Sequence, residues 1–331
     1  MFKRRGFVKS VSMFGLSLCL PKAIGISELK ESRKKIVGVV GLDTSHSPTL
    51  IRVINSSDHF EVTTAFTTVS MDFPLSANRV DRFTREVKGM GVEVVLTLKE
   101  LLDKVDYVLL CTVDPRLHLS QAKEILRSGK RVFIDKPMAA SLKEVVKIFR
   151  VSKKFNVPTF TSSALRFMQS AVKIRNGDFG KVIGADVYSP ISYQPIFPEL
   201  YWYGIHGIEL LFTVMKPGCL RVKRFNTTKY DIITGVWADG RVGNFRGLKT
   251  GKAKFGGQVF TEKGLFRMDD YQGVEPLRHA VLDYFETGKV AVGSQETIEI
   301  FAFMEAAHES SKRNGEWVLI DEILDKVGLV H

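Results

Sequence analysis

The chain has 331 residues, too long for one typical core and enough for two. An apolar share of 44% and a charged share of 25% exclude the disordered, collagen-like and disulfide-stapled classes. The formal charge is +12. Five of those cations stand in the first 25 residues, where there is no acid, and the remaining +7 comes without an aromatic–basic stripe, so nucleic acid is not an expected partner.

In chain order, the first segment reads as an address. Lys3-Arg4-Arg5-Gly6-Phe7-Val8-Lys9 precedes an apolar stretch from Val11 to Leu20, then Pro21-Lys22-Ala23. A basic start followed by a short apolar run is the layout of a secretory signal, and the run is about half the ~20 residues of a membrane span. Arg4-Arg5 with Phe7 and Lys9 resembles a twin-arginine export signal, so residues 1–30 are set apart and the export machinery is an expected partner. The expected location is exported or periplasmic; the alternatives are a cytoplasmic protein or one tethered by an uncleaved segment.

Residues 35–42 form a continuous apolar run, the pattern of a strand buried on both faces of a parallel sheet. Ser47-Pro48 suits the start of a helix running to about Ser56. A strand over 60–66 follows, then a polar, irregular insertion over 68–90 with a helix near Val80–Val87. Strands at 92–96, 106–113 and 131–135 alternate with helices at 98–104, 116–128 and 142–154. This alternation implies right-handed βαβ units in a doubly wound parallel sheet. The second half changes character. Segments 180–189, 221–228, 231–238, 242–248 and 258–268 read as a mostly antiparallel sheet, followed by helices at 275–286 and 294–313. The expected boundaries are a signal segment 1–30, a nucleotide-binding domain 31–160 and an α+β substrate and oligomerisation domain 161–331. The three cysteines, Cys19, Cys111 and Cys219, show neither metal spacing nor a disulfide framework, and no metal is expected.

Chemistry concentrates where a parallel strand ends. Phe133-Ile134-Asp135-Lys136-Pro137 closes one strand, and ligands of doubly wound sheets bind at that end. An ammonium there can polarise a hydroxyl or carbonyl and stabilise an alkoxide; a surface lysine before a turn proline is the plainer alternative. Asp106, the apolar strand, Thr112, Pro115, His118, Gly129-Lys130 and then Asp135-Lys136-Pro137 together resemble the N-terminal half of the Gfo/Idh/MocA oxidoreductases. Arg166-Phe167 and residues 177–182 resemble that family's entry into its second domain. The resemblance spans about 35–310, with Asp135 where the family has Glu. It implies a Rossmann-type domain, bound NAD or NADP, a carbohydrate-like small-molecule substrate and a homo-oligomer. It also implies Lys136 and His206 as the catalytic pair, with Asp135, Thr112 and His118 against the cofactor and Arg166 and Tyr203 against the substrate.

Two departures stand out. The family's Asp four residues before the catalytic His is Trp202 here, and Glu209, three residues after His206, is a candidate to assist. The nucleotide loop reads Gly41-Leu42-Asp43-Thr44-Ser45-His46-Ser47-Pro48. Gly41 matches the first glycine of the dinucleotide fingerprint, while Asp43 and His46 replace the second and third. A carboxylate beside a pyrophosphate repels it unless it points away. Thr44, Ser45 and the loop amides offer a different anion cradle at the helix start. The second strand ends at Thr67-Thr68, without the acid that grips an NAD ribose; Thr67 is the candidate contact. The leading reading is hydride transfer to or from a sugar, polyol or glycoside hydroxyl. The alternatives are a cofactor-assisted glycoside lyase or hydrolase without net redox, and a carbohydrate-binding protein without catalysis.

Overall fold

The apolar run at 35–42 forms the first strand of a six-stranded sheet in a computed structural model that describes residues 33–252 and 254–329. The export-signal reading falls on residues outside those described. The first sheet holds β1 (Lys35–Val40), β2 (Phe60–Phe66), β3 (Glu93–Val95), β4 (Tyr107–Leu110), β5 (Arg131–Ile134) and β6 (Thr159–Thr161). Its strands are all parallel and their order is β3-β2-β1-β4-β5-β6. That order reverses direction at β1, so a crevice opens above the ends of β1 and β4. Both strands are buried almost throughout, as their unbroken apolar runs require. Asp106 stitches their starts: its carboxylate accepts the Ile36 N–H at 2.9 Å, and its own N–H donates to the Ile36 carbonyl at 2.8 Å.

Helices α1 (His46–Asn55), α4 (Leu98–Lys104), α5 (His118–Arg127) and α6 (Leu142–Phe155) connect these strands. Two of them start on side-chain caps: Thr97 accepts the Glu100 N–H, and Ser141 accepts the Glu144 N–H. The 68–90 insertion carries two short helices, α2 (Pro74–Ala77) and α3 (Val80–Gly89); the sequence reading anticipated only the second.

The second sheet has seven strands in the order β12-β11-β7-β10-β9-β8-β13. They are β7 (Val182–Pro190), β8 (Cys219–Asn226), β9 (Tyr230–Trp237), β10 (Val242–Leu248), β11 (Gly256–Thr261), β12 (Gly264–Arg267) and β13 (Val318–Leu319). All neighbours are antiparallel except β7 and β10. The single element expected at 258–268 is a hairpin, because Glu262-Lys263 turns the chain between β11 and β12.

One face of this sheet is covered by α8 (Gly204–Met215) and α10 (Ser294–Lys312), which alternation along β9 prepares by burying every second residue. Helix α8 is buried along nearly its whole length. It lies so close to the sheet that a Cβ on Gly207 would stand 2.2 Å from the Phe245 ring and 2.8 Å from Ser189 Oγ. Helix α9 (Glu275–Thr287) returns to the first sheet: Leu277, Val281, Tyr284 and Phe285 share one core with Val37, Val39, Phe133 and Phe160. A second core runs without a break from the first sheet through α8 to the second. The described residues from Lys34 onward accordingly form one compact unit.

Candidate active site

The site begins with a backbone contact that only glycine permits. Gly41 has φ +97°, and a Cβ there would stand 2.3 Å from the Thr112 amide nitrogen, so the turn after β1 presses directly on the turn after β4. Phe66 C=O accepts the Gly41 N–H at 2.8 Å, and Thr67 Oγ accepts the Leu42 N–H at 3.0 Å. Leu42 itself is buried in the core beneath. Ser47 Oγ donates to the Gly41 carbonyl at 2.6 Å, closing the loop on itself.

Asp43, the residue in place of the second fingerprint glycine, is fully buried and faces away from the crevice. Its carboxylate accepts Ser76 Oγ–H at 2.6 Å and the Val113 N–H at 2.9 Å. Burial pushes its pKa up against the opposing effect of those two bonds. The repulsion expected of a carboxylate beside a pyrophosphate is therefore removed by orientation. Helix α1 begins without a cap from the Ser45 side chain, although the His46 N–H donates to Thr44 Oγ1 at 3.3 Å, and Thr44, Ser45 and His46 line the cavity in front of its first turn. The loop thus fits an anion in spite of its unusual sequence.

Across the crevice, His46 Nδ1 lies 2.5 Å from the Asp135 carboxylate. Burial alone would raise the Asp135 pKa; His46 and, more weakly, Lys136 overcome it and hold the carboxyl at about 2. Lys136, next in sequence, is half-buried, with its ammonium 5.5 Å from the Trp202 ring centre and 5.9 Å from that of Tyr203. Burial lowers its pKa, opposed by Asp135 and Glu209.

His206 stands in the first turn of α8, and Gly207 beside it allows the close seating that points the imidazole into the crevice. Burial first, then the Lys136 ammonium and the neighbouring His46, push its pKa well below the usual histidine value. Its Nδ1 meets Ser163 Oγ at 2.6 Å. Ser163 Oγ also accepts the Leu165 N–H, and the Ser163 N–H donates to the buried Glu209 carboxylate at 2.9 Å. Glu209 therefore supports His206 through Ser163 rather than by touching it.

His46, Asp135, Lys136 and His206 line one cavity of about 320 Å³, with Thr44, Ser45, Thr112, Trp202 and Tyr203. A smaller pocket of about 70 Å³ adjoins it on the far side of the same four residues. The ammonium and the imidazole, 70 positions apart in the chain, share both spaces.

Two expected site residues sit elsewhere. His118 is buried, with Nε2 2.7 Å from the Thr112 carbonyl and Nδ1 3.1 Å from that of Pro137. It braces the two strand-end turns from below, because its position at the start of α5 places it beneath the crevice floor. Arg166 is buried in ion pairs with Glu296 at 2.6 Å and Glu209 at 3.4 Å, since the short turn of 164–167 directs it into the core between helices. Thr67 contributes its hydroxyl to the Leu42 amide rather than to an open ligand surface.

The aromatic group is divided in the same way. Tyr201 and Phe197 are core residues, and Tyr193 bonds to Asp231 away from the cavity. Trp202 stacks on Phe197 with ring centres 5.6 Å apart, and the Lys136 ammonium stands 5.5 Å from its ring centre.

The polar residues of these spaces that no sequence motif marks include Arg79 and Gln194 on the larger cavity and the supporting Ser163 on the smaller. Arg79 lay in a stretch without periodicity, and no local motif marks a serine that acts through another residue.

The sequence of residues 35–162 matches the model of the Gfo/Idh/MocA group, described as an oxidoreductase family with an NAD-binding Rossmann fold. No curated protein matches the chain. Among solved structures it is similar to a probable dehydrogenase from Thermotoga maritima, with 18% identity, TM-score 0.74, and 87% of this chain and 99% of that one covered. It is also similar to a myo-inositol dehydrogenase from Corynebacterium glutamicum, with 11% identity, TM-score 0.70 and coverage of 86% and 98%. An oxidoreductase from Agrobacterium radiobacter, solved with NAD+, L-tartaric acid and magnesium, gives 12% identity, TM-score 0.70 and coverage of 88% and 100%. At these identities the likeness concerns the fold.

Proposed function

We infer that the chain is an oxidoreductase of the Gfo/Idh/MocA kind, whose family model residues 35–162 match, and that it transfers hydride between a bound nicotinamide dinucleotide and a hydroxyl-bearing carbon of a sugar, polyol or glycoside. The carrying observation is that Lys136 and His206 line one cavity together with the loop at the start of α1. Thr44, Ser45, His46 and the α1 amides would hold the pyrophosphate, with Thr112, Asp135 and Lys136 beneath the nicotinamide end. Bound there, the dinucleotide accepts or supplies the hydride.

The chain's own residues handle the proton and the oxygen. Lys136 donates a charge-assisted hydrogen bond to the reacting oxygen and stabilises the negative charge that develops on it. His206, held neutral, takes the hydroxyl proton on Nε2 while Nδ1–H donates to Ser163 Oγ. Ser163, fixed by Glu209, is a positioning residue for that tautomer. Trp202, where relatives place a carboxylate, leaves the imidazole without a direct charged partner and seats the ammonium instead. Its ring and that of Tyr203 offer apolar faces to a sugar.

Steady-state turnover of purified protein with NAD and NADP over a polyol and sugar panel tests this reading. Lys136→Ala and His206→Ala should each lower kcat by roughly 10²–10⁴-fold. Dinucleotide affinity, followed by fluorescence, should change little in the His206 variant. Turnover retained by both variants would reject the assigned pair.

A further inference from the structure

We propose that the substrate carries an anionic group, a carboxylate or phosphate, and that Arg79 recognises it. This rests on the oxidoreductase reading above and names the substrate class of that same site.

Arg79 lines the 320 Å³ cavity with Lys136, His46 and His206. The one acid on that wall, Asp135, is already engaged by His46 at 2.5 Å. Among the described residues the Arg79 guanidinium makes no ion pair or hydrogen bond, although it is only partly exposed. The Gln194 side chain, on the same wall, is likewise without a hydrogen bond. A guanidinium facing a cavity with no carboxylate to answer it is the arrangement that selects a bidentate anion.

Arg79 is also held in place. It follows α2, whose Ser76 bonds to buried Asp43, and the preceding Asp72 takes both guanidinium arms of Arg116 at 2.7 and 2.8 Å. Phe73 is buried against Phe197 and Trp202. The insertion that carries Arg79 is therefore fastened to the nucleotide loop on one side and to the Trp202 wall on the other. A ring stacked on Trp202 or Tyr203, with its hydroxyl at Lys136 and His206, would direct an acidic substituent toward Arg79.

Equilibrium binding to the NAD-loaded protein, followed by tryptophan fluorescence, tests this without turnover. The probes are glucuronate against glucose, gluconate against glucitol, and glucose 6-phosphate against glucose. Wild type should bind at least one acid about tenfold tighter than its neutral parent, with a preference that weakens as salt rises. Arg79→Gln should abolish the preference, and Arg79→Lys should keep part of it, which separates lost charge from lost structure.

Equal binding within every pair, or no binding of any acid, overturns the proposal, as does a preference that survives in Arg79→Gln. If Arg79→Gln instead loses NADP while NAD and acid binding stay unchanged, the guanidinium serves the cofactor's 2′-phosphate and the proposal fails. Loss of the acid preference leaves the Lys136 and His206 turnover test untouched, so the two readings fail separately.

Discussion

Single residues here take their chemistry from their neighbours. His206 is pushed toward the neutral form by burial, by the Lys136 ammonium and by the neighbouring His46, and Lys136 is pushed the same way by burial. The working state needs a neutral imidazole and a charged ammonium. As pH falls through 6.5 the imidazole stays neutral, because its own pKa lies well lower. As pH rises, the ammonium is lost before the ordinary lysine value of 10.5 is reached. The profile of kcat/KM against pH should therefore be a bell with its acid limb well below 6.5 and its alkaline limb below 10.5. An acid limb at or above 6.5 would contradict the assignment of His206 as base. Trp202 shows the reverse side of the same lesson. A residue that breaks a family pattern is placed by the structure in a role of its own, stacked on Phe197 and set over Lys136.

At the scale of elements, the turn after β1 is the part that tolerates least. Gly41 is required both for its positive φ and because any Cβ would strike the Thr112 backbone at 2.3 Å. Neither neighbour can yield without moving the end of a central strand. Gly41→Ala should cost on the order of 3 kcal/mol or more, a fall of roughly 5–10 °C in Tm, and should weaken dinucleotide binding with it. A variant with unchanged Tm and unchanged NAD affinity would show that the two turns are not in register. The position of Asp43 in the fingerprint suggested a clash with phosphate, whereas the fold turns it inward to hold Ser76 and Val113. Sequence spacing gives a residue's place in a loop but not the side to which its Cβ points.

The whole molecule is more interwoven than its sequence suggests. Helix α9 lies over 100 residues beyond β6, yet it closes the core beneath the first sheet. The Tyr284 hydroxyl accepts the Val132 N–H, and Arg131 donates to the Phe285 carbonyl at 2.5 Å, tying helix and sheet together. Among the described residues no helix covers the second sheet's other face, where Phe225 and Leu319 are exposed at one edge and Phe260 and Leu265 at the other. An open sheet face with apolar side chains at both edges suits a second copy of this chain, in line with the homo-oligomer expected from sequence. Sedimentation velocity should show a dimer or larger species for the wild type and a shift toward monomer for Phe225→Lys with Phe260→Lys. A monomeric wild type would remove the proposal.

The sequence by itself determined the parallel sheet, the alternation that builds it, the candidate lysine at a strand end and the candidate histidine. Each of these is written in short-range periodicity or in a residue's place at the end of an element. Only the tertiary structure decided which way side chains face once distant segments meet. It turned Asp43 inward, buried His118 and Arg166 in bracing roles, brought Arg79 out of an irregular insertion to the cavity wall, and set Ser163 behind His206. Those outcomes depend on contacts across dozens of residues, where burial and charge are fixed by the packed neighbours rather than by the chain's own order.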